Sequence, residues 1–292
     1  MKKDSVYKFF NKDKKTSDKL PKNRFLAYFD IFVNRGFQLV RLSLLTSLFF
    51  LPLLVFVFIW NLYVNSVTSN TTDMTTFEIK YRYFSLMSMA AIISIPLIII
   101  GFIGLGALFN ILKKFTYQDG DIFLERDFFK GVKDNIKSSL LSGTIFALVN
   151  CLFIMNLFIY PCLTDLPNVF KIIMVVLLCL VYVGVIFLCL YLLSYGAVYQ
   201  FSFKATMKNS LMMAIILYPQ NLLFTIISGL FIILYFAIPI VLSQIITLTL
   251  LIIYGFAHLG LTFTLYSYQV FDKYINARYE TSIVKKGLDS SK

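Results

Sequence analysis

The chain has 292 residues, a formal net charge of +12 and a mean hydropathy of +0.78. Hydrophobic residues make up 59% of it and charged residues only 14%, whereas a soluble domain carries about 25% charged residues. Because so few charged residues cannot cover the surface of a soluble protein, the composition argues against a soluble enzyme, a disordered protein and a disulfide scaffold. It predicts an all-α membrane protein.

Five long runs without a charged residue predict where the chain crosses the membrane. The first four hold 31, 30, 27 and 32 residues, and each fits one helix, because a crossing needs about 20 apolar residues. The fifth holds 63, enough for two helices, with Pro239 as a plausible turn. The runs are continuously apolar, which disfavours the alternating strands of a β-barrel. About six transmembrane helices are therefore predicted, near 42–63, 84–112, 139–160, 171–196, 219–238 and 243–267.

The helix count stays open between five and seven, because Pro219 or Pro239 is compatible with a re-entrant segment. Lysine and arginine predict the orientation. Four segments, 1–36, 113–138, 198–210 and 268–292, hold 23 of these residues, and the opposite side holds three. Both termini are therefore expected in the cytoplasm, with the first helix acting as a signal anchor.

The chain divides by composition into three parts. Residues 1–36 form a basic cytoplasmic tail and an interfacial lead-in, 37–275 the transmembrane domain, and 276–292 a second cytoplasmic tail. In the lead-in, phenylalanines at 25, 29 and 32 share one helical face, which is typical of a helix at the membrane surface. The external loop 64–82 contains Asn70-Thr71-Thr72, a glycosylation triplet that chance also produces.

Two amphipathic helices are predicted on the cytoplasmic side. Residues 121–138 follow a turn signal at Gln118–Asp121 and lead into the third crossing. Residues 200–215 lead into the fifth and align with the first segment at an offset of 74. The identities are Phe129, Lys130 and Asn135 with Phe203, Lys204 and Asn209. A true repeat and chance similarity explain this likeness about equally well.

The second crossing contains a proline and several small residues. Pro96 favours a kink, and Gly101, Gly104 and Gly106 let another helix approach closely. One interpretation is a broken helix that lines a cavity. Simple tight packing of helices is the favoured alternative.

His258 is the only histidine and falls in the sixth crossing, with Tyr254 and Thr262 one turn away on either side. Ionisable groups inside a membrane are functional candidates. A neutral imidazole bonded to a hydroxyl is the favoured interpretation, because no second histidine or embedded carboxylate accompanies it.

Amides such as Asn110 and Asn150 are expected to bond between helices. The four cysteines are interpreted as small apolar core residues, and neither a metal site nor a cofactor is predicted.

The stretch from residue 95 to 139 resembles the defining segment of the YesL family of bacterial integral membrane proteins. Pro96 and Gly101 keep the spacing of the family's Pro-to-Gly turn, and residues 107–109 fit the small-residue element that follows. Phe128, Phe129, Lys133 and Asn135 fit its Phe-Phe and Lys-x-Asn element, and 270–275 resembles its ending. The resemblance covers 85–275; Ile99 stands where the family has Thr, and the extra first crossing marks a long variant.

The resemblance implies a role linked to carbohydrate uptake, because members of the family are encoded beside sugar importers. A non-enzymatic accessory subunit of a carbohydrate ABC importer is therefore expected in a bacterial plasma membrane. Its permease or ATPase partners would dock on Phe128, Phe129, Lys133, Asn135, Phe203, Lys204 and Asn209. The alternatives are a membrane-embedded regulator or assembly factor, and an autonomous carrier for a neutral solute. No nucleic-acid partner is expected, since topology and anionic lipid account for the basic charge.

Overall fold

The structure, a computed structural model, describes residues 20–68, 74–118, 122–199, 202–238, 240–279 and 281–289. These residues form helices joined by short turns, with no strand among them. The α-helices are α1 (Arg24–Thr68), α2 (Thr76–Tyr117), α3 (Leu124–Asp134), α4 (Ile136–Ile159), α5 (Asn168–Val198), α6 (Phe203–Ile216), α7 (Tyr218–Ser228), α8 (Leu230–Ala237), α9 (Val241–Leu250), α10 (Phe256–Phe271) and α11 (Ala277–Tyr279). Single π-helical turns at Leu251–Gly255 and Asp272–Asn276 continue α9 into α10 and α10 into α11.

Five helical segments of the described chain are long and apolar enough to cross a membrane. They are Arg24–Thr68, Thr76–Tyr117, Ile136–Cys162, Asn168–Val198 and Leu242–Tyr279. A sixth crossing results if α6 and α7, which meet at 93°, form one span. The protein is therefore an all-α membrane protein, as its composition predicts.

The predicted crossing at 219–238 is wrong as a single helix. The chain bends at Leu217, α7 ends at Ser228, and Gly229 leaves helical geometry at φ −87° and ψ 10° before α8 begins. Pro219 explains the bend, because it has no N–H to donate and its ring excludes a continuing helix before it. The turn predicted at Pro239 lies outside the described residues.

The lead-in predicted for 24–36 is the first part of α1. Arg35, with φ −129° and ψ 21°, interrupts helical geometry inside α1 and separates this part from the crossing that follows. The phenylalanine side chains at 25, 29 and 32 are exposed, in agreement with a shared outward face. The tail up to residue 19, the Asn70 triplet and Asp119–Asp121 lie outside the described residues.

The helices pack as two compact units built from segments that are distant in the sequence. Unit 1 takes its residues from Met1–Leu44, Leu108–Phe128 and Ile226–Lys292, and unit 2 from Leu45–Ala107 and Phe129–Thr225. Because α1, α2 and α3 each contribute to both, the units do not follow the linear order of the chain.

In unit 2, α4 and α5 pack as an antiparallel pair that small and polar side chains hold together. Ser142 Oγ donates to the carbonyl of Cys189 at 3.0 Å, and Cys189 Sγ donates to the carbonyl of Ser142 at 3.4 Å. Further along, the Tyr182 hydroxyl donates to Asn150 Oδ1 at 2.8 Å. Gly196 lies directly against Ser138, so the missing side chain lets the helices approach closely there.

A buried amide stabilises the bend between α6 and α7. Asn221 Nδ2 donates to the carbonyls of Met213 and Ala214 at 2.9 and 3.2 Å, and Asn221 Oδ1 accepts from the Tyr191 hydroxyl at 2.9 Å. The side chains of Asn221 and Tyr191 are fully buried. The amide thus adds a hydrogen-bond donor to carbonyls in the last turn of α6, and no water in the hydrocarbon replaces it.

In unit 1, α10 packs along the last turns of α2. Gly260 lies against the side chains of Leu108 and Leu112, and the rings of Phe109 and Phe263 have centroids 6.4 Å apart. The contact continues to Tyr117 and Tyr268, whose ring centroids are 5.1 Å apart. These residues, apart from the glycine, are large and buried, so they form the core of the unit.

Unit 1 also joins the start of α1 to the C-terminal segment. Arg24 Nη2 lies 3.0 Å from Asp272 Oδ2, and the side chains of this ion pair are only 5% and 14% exposed. Arg24 Nη1 donates to the carbonyl of Lys286 at 3.0 Å, and the N–H of Asp289 donates to the carbonyl of Pro21 at the same distance. The described part of the predicted C-terminal tail is therefore bound to the protein.

Replacing Asn221 with leucine should lower the free energy of unfolding by about 1–3 kcal/mol. The leucine fills similar volume but leaves two carbonyls and the Tyr191 hydroxyl without the amide. The melting temperature in detergent measures the effect. The matched control is Asn156→Leu, which removes an amide that donates to the carbonyl of Leu152 in its own helix. Equal losses for the two variants would contradict the role of Asn221 at the bend.

Candidate functional site

The proline in the second crossing does not break its helix. The helix α2 runs through Pro96 from Thr76 to Tyr117, so the interruption that a broken-helix cavity requires is not there. Proline removes one backbone hydrogen bond, and a long helix with many others tolerates that loss.

The glycines that follow Pro96 are covered by neighbouring side chains. Gly101 lies under the ring of Phe50, Gly104 lies under Phe49, and Gly106 contacts Ser139. A methyl group added at any of these positions would collide with the covering side chain. These contacts favour the packing interpretation of the small residues, in which they let bulky side chains approach the helix.

The seven predicted docking residues divide by exposure. Phe128 is fully buried, and Asn135 is buried with its amide donating to the carbonyl of Gly106 at 3.4 Å. These two side chains are part of the interior and do not face a partner. Asn209 is half-buried, and the exposed members are Phe129, Lys133, Phe203 and Lys204.

Phe128 is buried because it lies on the side of α3 that packs against the rest of the protein. The buried residues of α3 are Leu124, Phe128 and Gly131, and Asn135 follows at the same helical spacing. The hydrophobic periodicity of the sequence does not reveal this buried side, because the buried side contains a glycine and an amide and only two large apolar residues. Phe129, the neighbour of Phe128 in the sequence, is exposed instead.

His258 lies at the centre of a polar cluster inside unit 1. Its Nδ1 atom is 2.8 Å from the Tyr28 hydroxyl, which is itself 2.9 Å from the Tyr254 hydroxyl. Its Nε2 atom is 2.9 Å from the carbonyl oxygen of Ile227. The ring of Phe231 packs edge to face against the imidazole, with the two ring centroids 5.6 Å apart. An aromatic side chain therefore covers one side of the cluster.

The partners of His258 determine which way its hydrogen bonds run. A carbonyl oxygen only accepts, so Nε2 carries a hydrogen and donates to Ile227. In the neutral ring Nδ1 then accepts from the Tyr28 hydroxyl, whose oxygen accepts in turn from the Tyr254 hydroxyl. A neutral imidazole therefore satisfies every ring nitrogen, with no further ligand needed.

This cluster links α1, which carries Tyr28, and α7, which carries Ile227, to α10 and the π-helical turn before it, which carry His258 and Tyr254. The interpretation of the histidine as an imidazole bonded to a hydroxyl agrees with the geometry, but the hydroxyl belongs to Tyr28 and not to Tyr254 or Thr262.

The sequence does not single out Tyr28, because its ring lies beside Phe29 and Phe32 of the lead-in. It does not indicate the pairing of Arg24 with Asp272 either, because 247 residues separate them.

The remaining candidate amides occupy different settings. Asn150 accepts the Tyr182 hydroxyl in unit 2, as expected for an amide that bonds between helices. Asn110 is half-buried near the end of α2 in unit 1. Across the described residues, no group of three or more His, Cys, Asp and Glu side chains is placed to hold a metal ion.

Comparison of the chain with models of known protein families, with curated proteins and with solved structures finds no match. The resemblance to the YesL family therefore stays a prediction from the sequence.

Replacing Tyr28 with phenylalanine should lower the free energy of unfolding by about 1–2 kcal/mol. The substitution removes the hydroxyl that joins His258 to Tyr254 and leaves both without that partner. Thermal unfolding in detergent gives the measurement, and the control is Tyr81→Phe, whose ring is exposed. A loss for Tyr28→Phe no larger than for the control would rule out the polar cluster as a stabilising link.

Proposed function

We propose that the chain is a non-enzymatic accessory subunit of a carbohydrate ABC importer in a bacterial plasma membrane. The family resemblance supports the link to sugar uptake. The distribution of lysine and arginine supports cytoplasmic termini, since 23 of these residues fall on one predicted side and three on the other.

The exposed start of α6 is the observation that carries the docking part of this proposal. Phe203 is 64% exposed at the first residue of the helix, and Lys204 beside it is exposed as well. Further along the helix Ser210 and Ala214 are buried, so α6 is anchored to the protein beyond its exposed start. An aromatic ring and a cation presented together by an anchored helix suit contact with a protein partner.

The interior of each unit supports an accessory role over an autonomous carrier. In unit 2 the helix through Pro96 is unbroken, and aromatic side chains cover Gly101 and Gly104. In unit 1 both ring nitrogens of His258 are engaged by Tyr28 and Ile227. The positions that a carrier would use for a solute path are therefore occupied by the protein's own groups.

The exposed residues of α3 are less decisive for a protein partner. Phe129 and Lys133 are both exposed. Lys130 and Lys137 lie near them, however, and such a concentration of cations favours a ligand other than a protein for that helix.

The test is a mild-detergent pull-down of the tagged full chain from its native membrane, read by quantitative mass spectrometry. Permease or ATPase subunits of a sugar importer should be recovered in near-equal amounts. The double variant Phe203→Ala/Lys204→Glu should lower their recovery about tenfold, because an aromatic anchor and a charge are both lost. Phe129→Ala/Lys133→Glu on α3 is the matched control and should leave recovery unchanged.

Other outcomes of the pull-down contradict the accessory role. Recovery of the chain alone, in monodisperse form, would argue against a resident subunit. Altered importer abundance in a deletion strain, without co-purification, would favour the regulator or assembly factor. An equal loss with the α3 control would remove α6 as the specific docking helix.

A further inference from the structure

The helix α3 lies where a membrane crossing begins. It ends at Asp134, and α4 begins at Ile136, so one residue separates it from a membrane-spanning segment. Backbone hydrogen bonds continue through that residue, because the Asn135 N–H donates to Gly131 and the Asn135 carbonyl accepts from Ser139, each at 3.0 Å. The outward side of α3 is therefore held at the boundary between water and lipid.

That outward side is rich in cations that lack acidic partners. Lys130, Lys133 and Lys137 are all exposed, and in the described structure none of the three forms an ion pair. Lys130 and Lys133 lie one turn apart on α3, and Lys137 follows four residues later in the first turn of α4. Asp134 is the only acid between Lys130 and Lys137.

The other acids of α3 are already engaged. Glu125 pairs with Arg41, and Asp127 Oδ2 lies 3.0 Å from Lys114 Nζ. These pairs take up the negative charge at the start of the helix. The lysine face, defined as Lys130 and Lys133 of α3 and Lys137 of α4, therefore keeps a net positive charge.

An exposed aromatic ring lies beside the lysine face. Phe129 is 53% exposed, next to Lys130 in the sequence. Lysines combined with an outward aromatic ring are typical of helices at a membrane interface, where the ring reaches the upper acyl chains and the ammonium groups stay among the headgroups. A segment of a protein partner would have to displace lipid from this position, so the observations favour lipid over an acidic protein.

We propose that the lysine face binds the phosphate groups of anionic phospholipids, with Phe129 among the upper acyl carbons. The lysine ammonium groups donate hydrogen bonds to phosphate oxygens. Their positive charge also neutralises the net negative charge of an anionic lipid, which a zwitterionic lipid does not carry. This binding does not depend on a transporter partner, so it holds or fails separately from the accessory role.

The experiment measures the melting temperature of the full chain in a neutral detergent against added phosphatidylglycerol, with phosphatidylcholine as the lipid control. Phosphatidylglycerol should raise the melting temperature at concentrations where phosphatidylcholine does not. The triple variant K130Q/K133Q/K137Q should weaken the apparent affinity about a hundredfold, since each lysine near an anionic surface contributes about fivefold. The matched control K204Q/K208Q removes two exposed lysines of α6 and should keep the affinity.

A conservative variant keeps the proposal falsifiable if the triple glutamine variant folds poorly. K130R/K133R/K137R retains the charges and should bind phosphatidylglycerol like the original chain. Equal responses to the two lipids, or an equal loss in the α6 control, would overturn the proposal. The same stabilisation by glycerol 3-phosphate would identify free phosphate as the ligand and would also overturn it. An absent lipid response, together with lower recovery of a protein partner in the triple variant, would assign the face to an acidic protein segment.

Discussion

The need to satisfy polar groups without water governs this structure. A helix in hydrocarbon has no solvent to complete its hydrogen bonds, so each irregularity needs a partner from the protein. Asn221 supplies that partner at the bend after α6, where its amide bonds the carbonyls of Met213 and Ala214. Tyr28 and the carbonyl of Ile227 do the same for His258. The polar side chains that look functional in the sequence are thus largely engaged with one another.

The same requirement explains the joining of distant segments. Arg24 is a cation with almost no exposed surface, and a buried cation without a counter-charge is strongly unfavourable. Asp272 and the carbonyl of Lys286 provide its partners and hold the C-terminal segment beside the start of α1. Glycine serves a related purpose in unit 2, where Gly106 lets Ser139 and the amide of Asn135 reach the backbone of α2.

The sequence predicts the fold class and most crossings well, because a run without charge is a direct physical signal of a span. It fails at 219–238, where hydropathy is continuous and only Pro219 and Gly229 hint at breaks. It also misplaces Phe128 and Asn135, because the buried side of α3 contains a glycine and an amide. For His258 the sequence indicates the bonding of the ring but not its partner, since Tyr28 comes 230 residues earlier. Long-range pairings leave no periodic trace, so such contacts are visible only in the folded chain.

The central claim of the proposed accessory role is that the protein acts by contact with a partner and not by passage of solute. The most direct measurement is the flux of neutral sugars into liposomes that contain the purified chain alone. The account predicts rates equal to those of protein-free liposomes. Saturable uptake of a sugar by the chain alone would contradict it and would make the protein a carrier.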